Sequence, residues 1–337
     1  MNLNSLTPFD IAAVPADVLA RLKDARDVLT VCHENPEADA LGSALGLALA
    51  LETLGKRATP LCSDKVPPMY DFMPHIDRFW RDPDPAHDYD LIVVGDCGDI
   101  ARVGATLVRN AELFGRVPIV NIDHHVTNPG FGAVNWVDAT AAATCEMDTL
   151  LVPALGVDLG AAGGAIAANL MAGVVIDTAN FQHPNVTPRT LRVAAELVAA
   201  GAPLSDTARL LYRTKPNRQL KLFGLVLARL ESELDGRLVW SALYSADYAA
   251  SDASAADTEG LSDLLSQSAT SELVLLFRDM GDRTKISVRT REGGPDATVL
   301  TGMFGGGGHA RASGATLALP IDQAIPAVLA AARQQLG

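Results

Sequence analysis

Lysine and arginine form no run anywhere in this chain, and together they are outnumbered: 27 basic residues face 40 acidic ones, a formal net charge of −13. A protein that clamps long nucleic acid needs a basic stripe to neutralise phosphates. The deficit therefore disfavours a general DNA or RNA binder. It does not exclude a small anion held by bound metal, because cations invert the local field whatever the global charge. No apolar stretch reaches the roughly 18 residues that span a bilayer; the longest, such as residues 161–176, are rich in Ala and Gly and read as buried helix. The opening MNLNSLTPFDIAAVPADVLARL lacks a basic segment followed by a clean apolar one, so a secretory leader is not expected. Cysteine is scarce and shows no CxxC spacing: Cys32, Cys62, Cys97 and Cys145 read as reduced thiols in the core or near a site, which points to the cytoplasm. Aromatics are only 5% of the chain, and Trp80, Trp136 and Trp240 form no stacking array of the kind single-strand binders use. They are expected in the core, and His75 and His87, in a Pro- and Asp-rich stretch, at the surface. There is no internal repeat and no low-complexity tract.

What is present is a chain of 337 residues, 48% hydrophobic, long enough for two domains with sizeable cores. Its first half alternates strand-like runs (28–33, 91–95, 117–122) with helical patterns (39–54, 141–155, 161–176). Such alternation predicts an α/β fold with a parallel sheet covered by helices on both faces, and ligands gather at the carboxyl ends of strands in such sheets. Residues 186–200 and 204–230 read as mostly helical and together as a connector, with the domain boundary inside it at roughly 200–230. From about Gly236 the pattern changes to short alternating strands at 237–244, 272–278 and 285–290, then a glycine run at 305–308 and a last helix over 321–336. The expected division is a catalytic domain over 1–200, a helical connector over 201–230 and a smaller α/β domain over 231–337, with the cleft between the two domains.

The strand ending at Cys32 runs into His33, Glu37 and Asp39, and the turn at Asn35-Pro36 can fold these onto one edge. A capped helix start explains the same acids, which are common and stabilising near a helix N-terminus. The next strand ends at Asp96, and the one after it at Asp123-His124-His125. Asp96 or Asp99 alone reads equally as a turn acid, whereas two adjacent imidazoles beside a carboxylate have no packing rationale. Asp177 closes the helical run 161–176, where the helix dipole opposes an acid, which suggests a compensating cation. The set His33, Glu37, Asp39, Asp96, His124 and Asp177 suits two octahedral divalent ions. Its mixed imidazole and carboxylate character, without thiolate, points to manganese or a similar ion and not to structural zinc. Two ions about 3.5–4 Å apart can share one water and brace an in-line displacement at phosphorus.

These segments, in order, resemble the successive motifs of the DHH phosphoesterase superfamily, whose tripeptide stands here at 123–125. The stretch FGGGGHARASGA (304–315) is similar to the glycine-rich signature of its companion, the DHH-associated domain of the first type; together the two cover nearly the whole chain. The group most similar in pattern comprises the nanoRNases and pAp phosphatases. The resemblance implies a first metal held by His33, Glu37 and Asp96, and a second held by Asp39, Asp96, His124 and Asp177, with Asp96 bridging. It implies His125 facing the substrate phosphate, Asp123 bracing the histidines from behind, and Asp96, His124 and His125 as the catalytic set. In the companion domain it implies phosphate contacts from Arg289, from the backbone of Gly306, Gly307 and Gly308, and from His309; an exposed strand charge explains Arg289 equally. Two positions depart from the pattern: Glu37 stands where the family has Asp, and Gln182 where an Arg often follows the phenylalanine.

The activity implied is manganese-dependent hydrolysis, with two Mn(II) ions activating water. The expected substrates are short oligoribonucleotides, cleaved to mononucleotides, and 3′-phosphoadenosine 5′-phosphate (pAp), cleaved to AMP. Relatives also act on cyclic di-AMP or linear dinucleotides, and a non-catalytic nucleotide sensor is the alternative from another class. A processive DNA exonuclease is disfavoured by the short acidic chain, and an inorganic pyrophosphatase by its different companion domain. No long nucleic acid and no membrane is expected as partner; a homodimer stays open.

Overall fold

The structure is a computed structural model describing residues 14–337. Most of the segment read above for a leader, residues 1–13, lies outside the described residues. The chain forms two compact units that part between Thr214 and Lys215.

The first unit contains α1 (Ala16–Asp24), β1 (Asp27–Val31), α2 (Ala38–Thr53), β2 (Arg57–Leu61), β3 (Leu91–Gly95), α3 (Ala105–Arg109) and α4 (Ala111–Arg116). It continues through β4 (Ile119–Asp123), β5 (Val134–Val137), α5 (Thr144–Ala154), α6 (Ala165–Asp177), α7 (Pro188–Ala199) and α8 (Leu204–Tyr212). The five strands form one sheet in the order β2-β1-β3-β4-β5, every neighbouring pair parallel. Every residue of β1 and β3 is buried, as strands covered on both faces require. Val28 and Val93 turn to the face packed by Leu41, Leu45, Leu151 and Leu170, whereas Leu29, Val31, Ile92 and Val94 turn to the face packed by Val103 and Phe114. This strict alternation follows from the two-residue period of a strand.

Helices α2 and α6 approach unusually closely because glycine stands at the contact. A Cβ on Gly42 would fall 2.4 Å from the Asn169 carbonyl oxygen, and one on Gly173 would fall 2.5 Å from Asp39 Oδ1. The packing that seals this core thereby encloses a carboxylate. Asp39 is fully buried in the first turn of α2.

The second unit contains α9 (Asn217–Leu227), β6 (Glu231–Glu233), β7 (Leu238–Leu243), α10 (Ser245–Ser251), α11 (Leu261–Leu265), β8 (Leu273–Asp279) and β9 (Thr284–Thr290). It ends with α12 (Ala297–Gly302), β10 (Gly307–His309), β11 (Ala312–Leu317) and α13 (Ile321–Leu336). Its sheet runs β10-β11-β9-β8-β7-β6, antiparallel except between β7 and β8.

Some details depart from the sequence reading. The helical stretch expected over 204–230 is interrupted between Tyr212 and Asn217, because Pro216 lacks an amide and disfavours helix in the residue before it. Trp80, expected in the core, is 48% exposed: it bridges Leu61 on the outer side of β2, an edge strand. His87, expected at the surface, is half-buried, with Nδ1 3.0 Å from Asp27 Oδ1 and its ring stacked on Tyr89. All four cysteines are free and buried. Among the described residues no helix is long and apolar enough to cross a membrane.

Candidate metal centre at the sheet edge

Parallel pairing brings the carboxyl ends of β1, β3 and β4 side by side. Val31 pairs with Val94 and Gly95 with Ile122, so the residues that follow each strand, His33, Asp96 and His124, meet at one edge. Asp96 lies at φ 54°, a left-handed conformation that Asp adopts more readily than most residues. Turning the chain there directs it away from the sheet immediately after the last paired residue.

Asp39, Asp96, His124 and Asp177 each offer a ligand atom, and these atoms all lie within 4.8 Å of one another. His124 Nε2 is 3.1 Å from Asp177 Oδ2, 3.4 Å from Asp96 Oδ1 and 4.0 Å from Asp39 Oδ2. The other nitrogen of that ring, Nδ1, faces the Ala141 carbonyl at 3.4 Å, which leaves Nε2 as the lone-pair nitrogen. An imidazole lone pair and three carboxylates pointing at one another repel unless a cation stands among them. Without a metal, a proton must serve. Burial alone would lower the His124 pKa, yet the Asp177 and Asp96 carboxylates push it up to about 11. Asp39 is raised by burial and by the Asp96 and Asp177 charges, and Asp177 by burial. Burial also works to raise Asp96, but hydrogen bonding to His124 and His33 holds it well below the usual carboxylate range.

His33 reaches the opposite oxygen of Asp96, with Nε2 3.6 Å from Oδ2. Its Nδ1 lies 2.6 Å from the Glu34 carbonyl, a contact that requires the proton on Nδ1 and so leaves Nε2 with a lone pair aimed at Asp96. Asp96 is thus flanked by an imidazole on each carboxylate oxygen. Glu37 is the exposed N-cap residue of α2. Among the described residues, neither clustered ligand set includes it. Asp99 lies apart, its carboxylate accepting from the Ala101 amide in a short turn.

A second set, Asp96, His124 and His125, also lies within 4.8 Å. Here the His125 atom near Asp96 is Nδ1, and that nitrogen is already 2.7 Å from Asp123 Oδ1. Asp123 is wholly buried and fully used: it also accepts from the His124 amide at 2.9 Å and from Asn128 Nδ2 at 2.6 Å. The carboxylate therefore fixes the His125 ring and the His124 backbone, leaving His125 Nε2 free to act on something outside this network.

Sequence reasoning missed the groups that hold Asp39. The amides of Thr144 and Cys145, at the start of α5, donate to its two oxygens at 2.7 and 2.9 Å. The Thr144 hydroxyl donates to Asp96 Oδ1 at 3.3 Å. A helix N-terminus suits a buried carboxylate because its first amides have no partner within the helix. The Cys145 and Cys97 thiols are pushed up by burial, Cys97 to about 12, so both are neutral in the metal-free protein.

In the second unit, Arg289 lies on β9 with Nε 2.8 Å from Asp263 Oδ1, and His309 is exposed on β10. The glycines divide in purpose. A Cβ on Gly306 would meet the Gly314 carbonyl oxygen at 2.2 Å, and one on Gly308 the Ala312 carbonyl oxygen at 2.7 Å, whereas Gly307 faces open space. Gly306 and Gly308 thus have a packing reason to be glycine that a sequence cannot display.

The parallel sheet, the strand-end histidines and the carboxylates between them define the class of protein, a phosphoester hydrolase of the DHH type. The chain belongs to the DHH family: the profile of the DHH family N-terminal domain matches residues 27–201, and that of the DHHA1 domain matches residues 240–337. It is 36% identical over 307 residues to the bifunctional oligoribonuclease and PAP phosphatase NrnA of Thermus thermophilus, a match covering 90% of this chain and 88% of that one. The protein of the same description from Bacillus subtilis is 28% identical over 287 residues, covering 85% and 87%. In fold, the chain is similar to an exopolyphosphatase-related protein from Bacteroides fragilis, with a TM-score of 0.82, 21% identity and 94% of each chain covered.

Proposed function

We propose that this chain hydrolyses short oligoribonucleotides to mononucleotides and pAp to AMP, using two divalent ions, manganese by preference. The observation that carries this reading is the convergence of Asp39, Asp96, His124 and Asp177 within 4.8 Å, four acceptor groups that only a cation reconciles. The substrate class rests on the two curated relatives, described as bifunctional oligoribonuclease and PAP phosphatase, which match most of both chains.

The residues fit divalent metal well. Asp39, Asp96, His124 and Asp177 would hold one ion, while His33 and Asp96 would hold the other, joined by Glu37 if its longer arm turns inward. Oxygen and imidazole donors suit manganese, magnesium or similar ions, and the imidazole share favours manganese. Ions held there would supply an activated water and would offset charge on the phosphoryl oxygens. The protein's own part is orientation. The Thr144 and Cys145 amides keep Asp39 in place, Glu34 and Ala141 present Nε2 of His33 and His124, and Asp123 holds His125. His125 then presents Nε2 to the substrate phosphate. Arg289, His309 and the backbone of Gly306, Gly307 and Gly308 are assigned to substrate binding, with Arg289 exchanging Asp263 for phosphate.

A hydrolysis panel with Mn(II) tests the reading: pAp, RNAs of two to five nucleotides, cyclic di-AMP and linear dinucleotides. The expected result is AMP from pAp and mononucleotides from short RNA. Turnover confined to cyclic di-AMP would replace the substrate assignment, and binding without turnover of any of them would indicate a sensor.

A further inference from the structure

We propose that Arg102 is a phosphate-binding residue of this centre, docking a substrate oxygen on the His33 side of Asp96; the inference rests on the phosphoesterase reading above. Arg102 lies in the one-turn 3-10 helix Ile100–Val103, six residues past Asp96. Its backbone is pinned at both polar groups: the amide donates to the Asp99 carbonyl at 2.9 Å, and its carbonyl accepts from the Glu34 amide at 2.7 Å. The turn that follows β3 is thereby tied to the residue following His33.

The side chain lies against the centre, with Nη2 3.2 Å from His33 Nδ1. That nitrogen cannot accept from it. The 2.6 Å contact with the Glu34 carbonyl already requires the Nδ1 proton, so the two donors meet without bonding. Arg57, Arg78, Arg109 and Arg189 of the same unit each rest on a carboxylate, whereas the Arg102 guanidinium is seen against an imidazole. An exposed guanidinium thus stands beside a carboxylate-rich centre, on a backbone held at both of its polar groups. Five N–H groups in a planar fork match the paired oxygens of a phosphoryl group. Its position assigns it to a phosphate bound near His33, on the side of Asp96 away from His124 and Asp177. It also supplies positive charge where a chain of net charge −13 otherwise repels an anion.

Arg102→Ala and Arg102→Lys decide the matter in three measurements on the full chain: steady-state hydrolysis of pAp and a diribonucleotide with Mn(II), calorimetric binding of AMP, and calorimetric binding of Mn(II). The inference expects Arg102→Ala to lower kcat/KM about 10- to 100-fold, chiefly through KM, and to weaken AMP binding about tenfold, as loss of a charged hydrogen bond implies. Mn(II) affinity should be unchanged, Arg102→Lys should recover part of the loss, and millimolar guanidinium ion should rescue Arg102→Ala. Wild-type KM and AMP affinity in Arg102→Ala would overturn the inference. So would a loss that tracks weakened Mn(II) binding, because Arg102 would then act only by positioning His33. A wild-type protein inert toward both substrates would sink the phosphoesterase reading instead, and the AMP comparison would still decide the role of Arg102.

Discussion

Asp177, the last residue of α6, places Oδ2 3.1 Å from His124 Nε2, the closest contact His124 makes with any carboxylate of the centre. An acid at a helix C-terminus works against the helix dipole, so this pairing is held at a cost that a cation offsets. In the metal-free protein that cation is the His124 proton. A histidine raised to about 11 stabilises the fold fully below its unfolded pKa near 6.5 and loses that contribution as pH climbs towards 11. Asp177→Asn should lower the His124 pKa markedly in EDTA-treated protein, read by NMR of labelled histidine. An unchanged titration would show that Asp177 is not its main partner. The same variant should also bind Mn(II) more weakly.

Glu37, like His33, stands outside both clustered sets. The resemblance gives it to the first metal, whereas the folded chain shows it as an exposed N-cap residue outside the clustered sets. If the longer arm swings in on loading, Glu37→Ala should lose metal affinity and activity together, and Glu37→Asp should retain both. Wild-type metal content and rate in Glu37→Ala would place it outside the coordination sphere.

Asp148 makes a stability prediction independent of catalysis. It is wholly buried on α5, the Ser43 hydroxyl is near but outside hydrogen-bond geometry with either carboxylate oxygen, and burial, helped by the Asp96 charge, raises its pKa to about 7. A carboxyl raised on folding binds more protons in the native state, so stability falls as pH rises from its unfolded value near 3.8 through about 7. The neutral isostere Asp148→Asn should gain on wild type progressively from about pH 4 to pH 7 and hold the full difference, up to about 4 kcal/mol of stability, at pH 8–9. Parallel Tm profiles across that range would contradict the buried-acid account.

Substrate length should matter as well. With net charge −13 and no basic run, each phosphate beyond the site meets repulsion that salt screens. The ratio kcat/KM should fall as RNA lengthens from two to about ten nucleotides, more steeply at low ionic strength. A rate level with length would reveal an extended binding track.

Much of this centre was legible in the sequence because strands announce their own ends. Apolar runs stopping at His33, Asp96 and Asp123-His124-His125 locate an edge without any knowledge of pairing, and Asp177 stands out as an acid at the unfavourable end of a helix. The supports were not legible. Thr144 and Cys145 hold Asp39 through backbone amides, which no residue type encodes, across more than a hundred residues of chain. Asn128 and Arg102 act through tertiary contacts, and residues of their types are common in any loop. Strand β2 escaped because Arg57, Thr59 and Pro60 break its apolar run, and β5 because it is only four residues long. Gly306 and Gly308 illustrate the reverse problem: the same residues serve a phosphate loop or a tight hairpin, and only the packing distances reveal the second use.

Asp96 carries the central claim, since it alone stands between His33 and His124. The direct test titrates EDTA-treated protein with Mn(II) while following both metal binding and AMP release from pAp, in wild type and in Asp96→Asn. Wild-type activity should rise to saturation at two Mn(II) per chain, and folded Asp96→Asn should stay inactive with weakened binding of both ions. Hydrolysis that persists in EDTA, or full activity in Asp96→Asn, would contradict the claim.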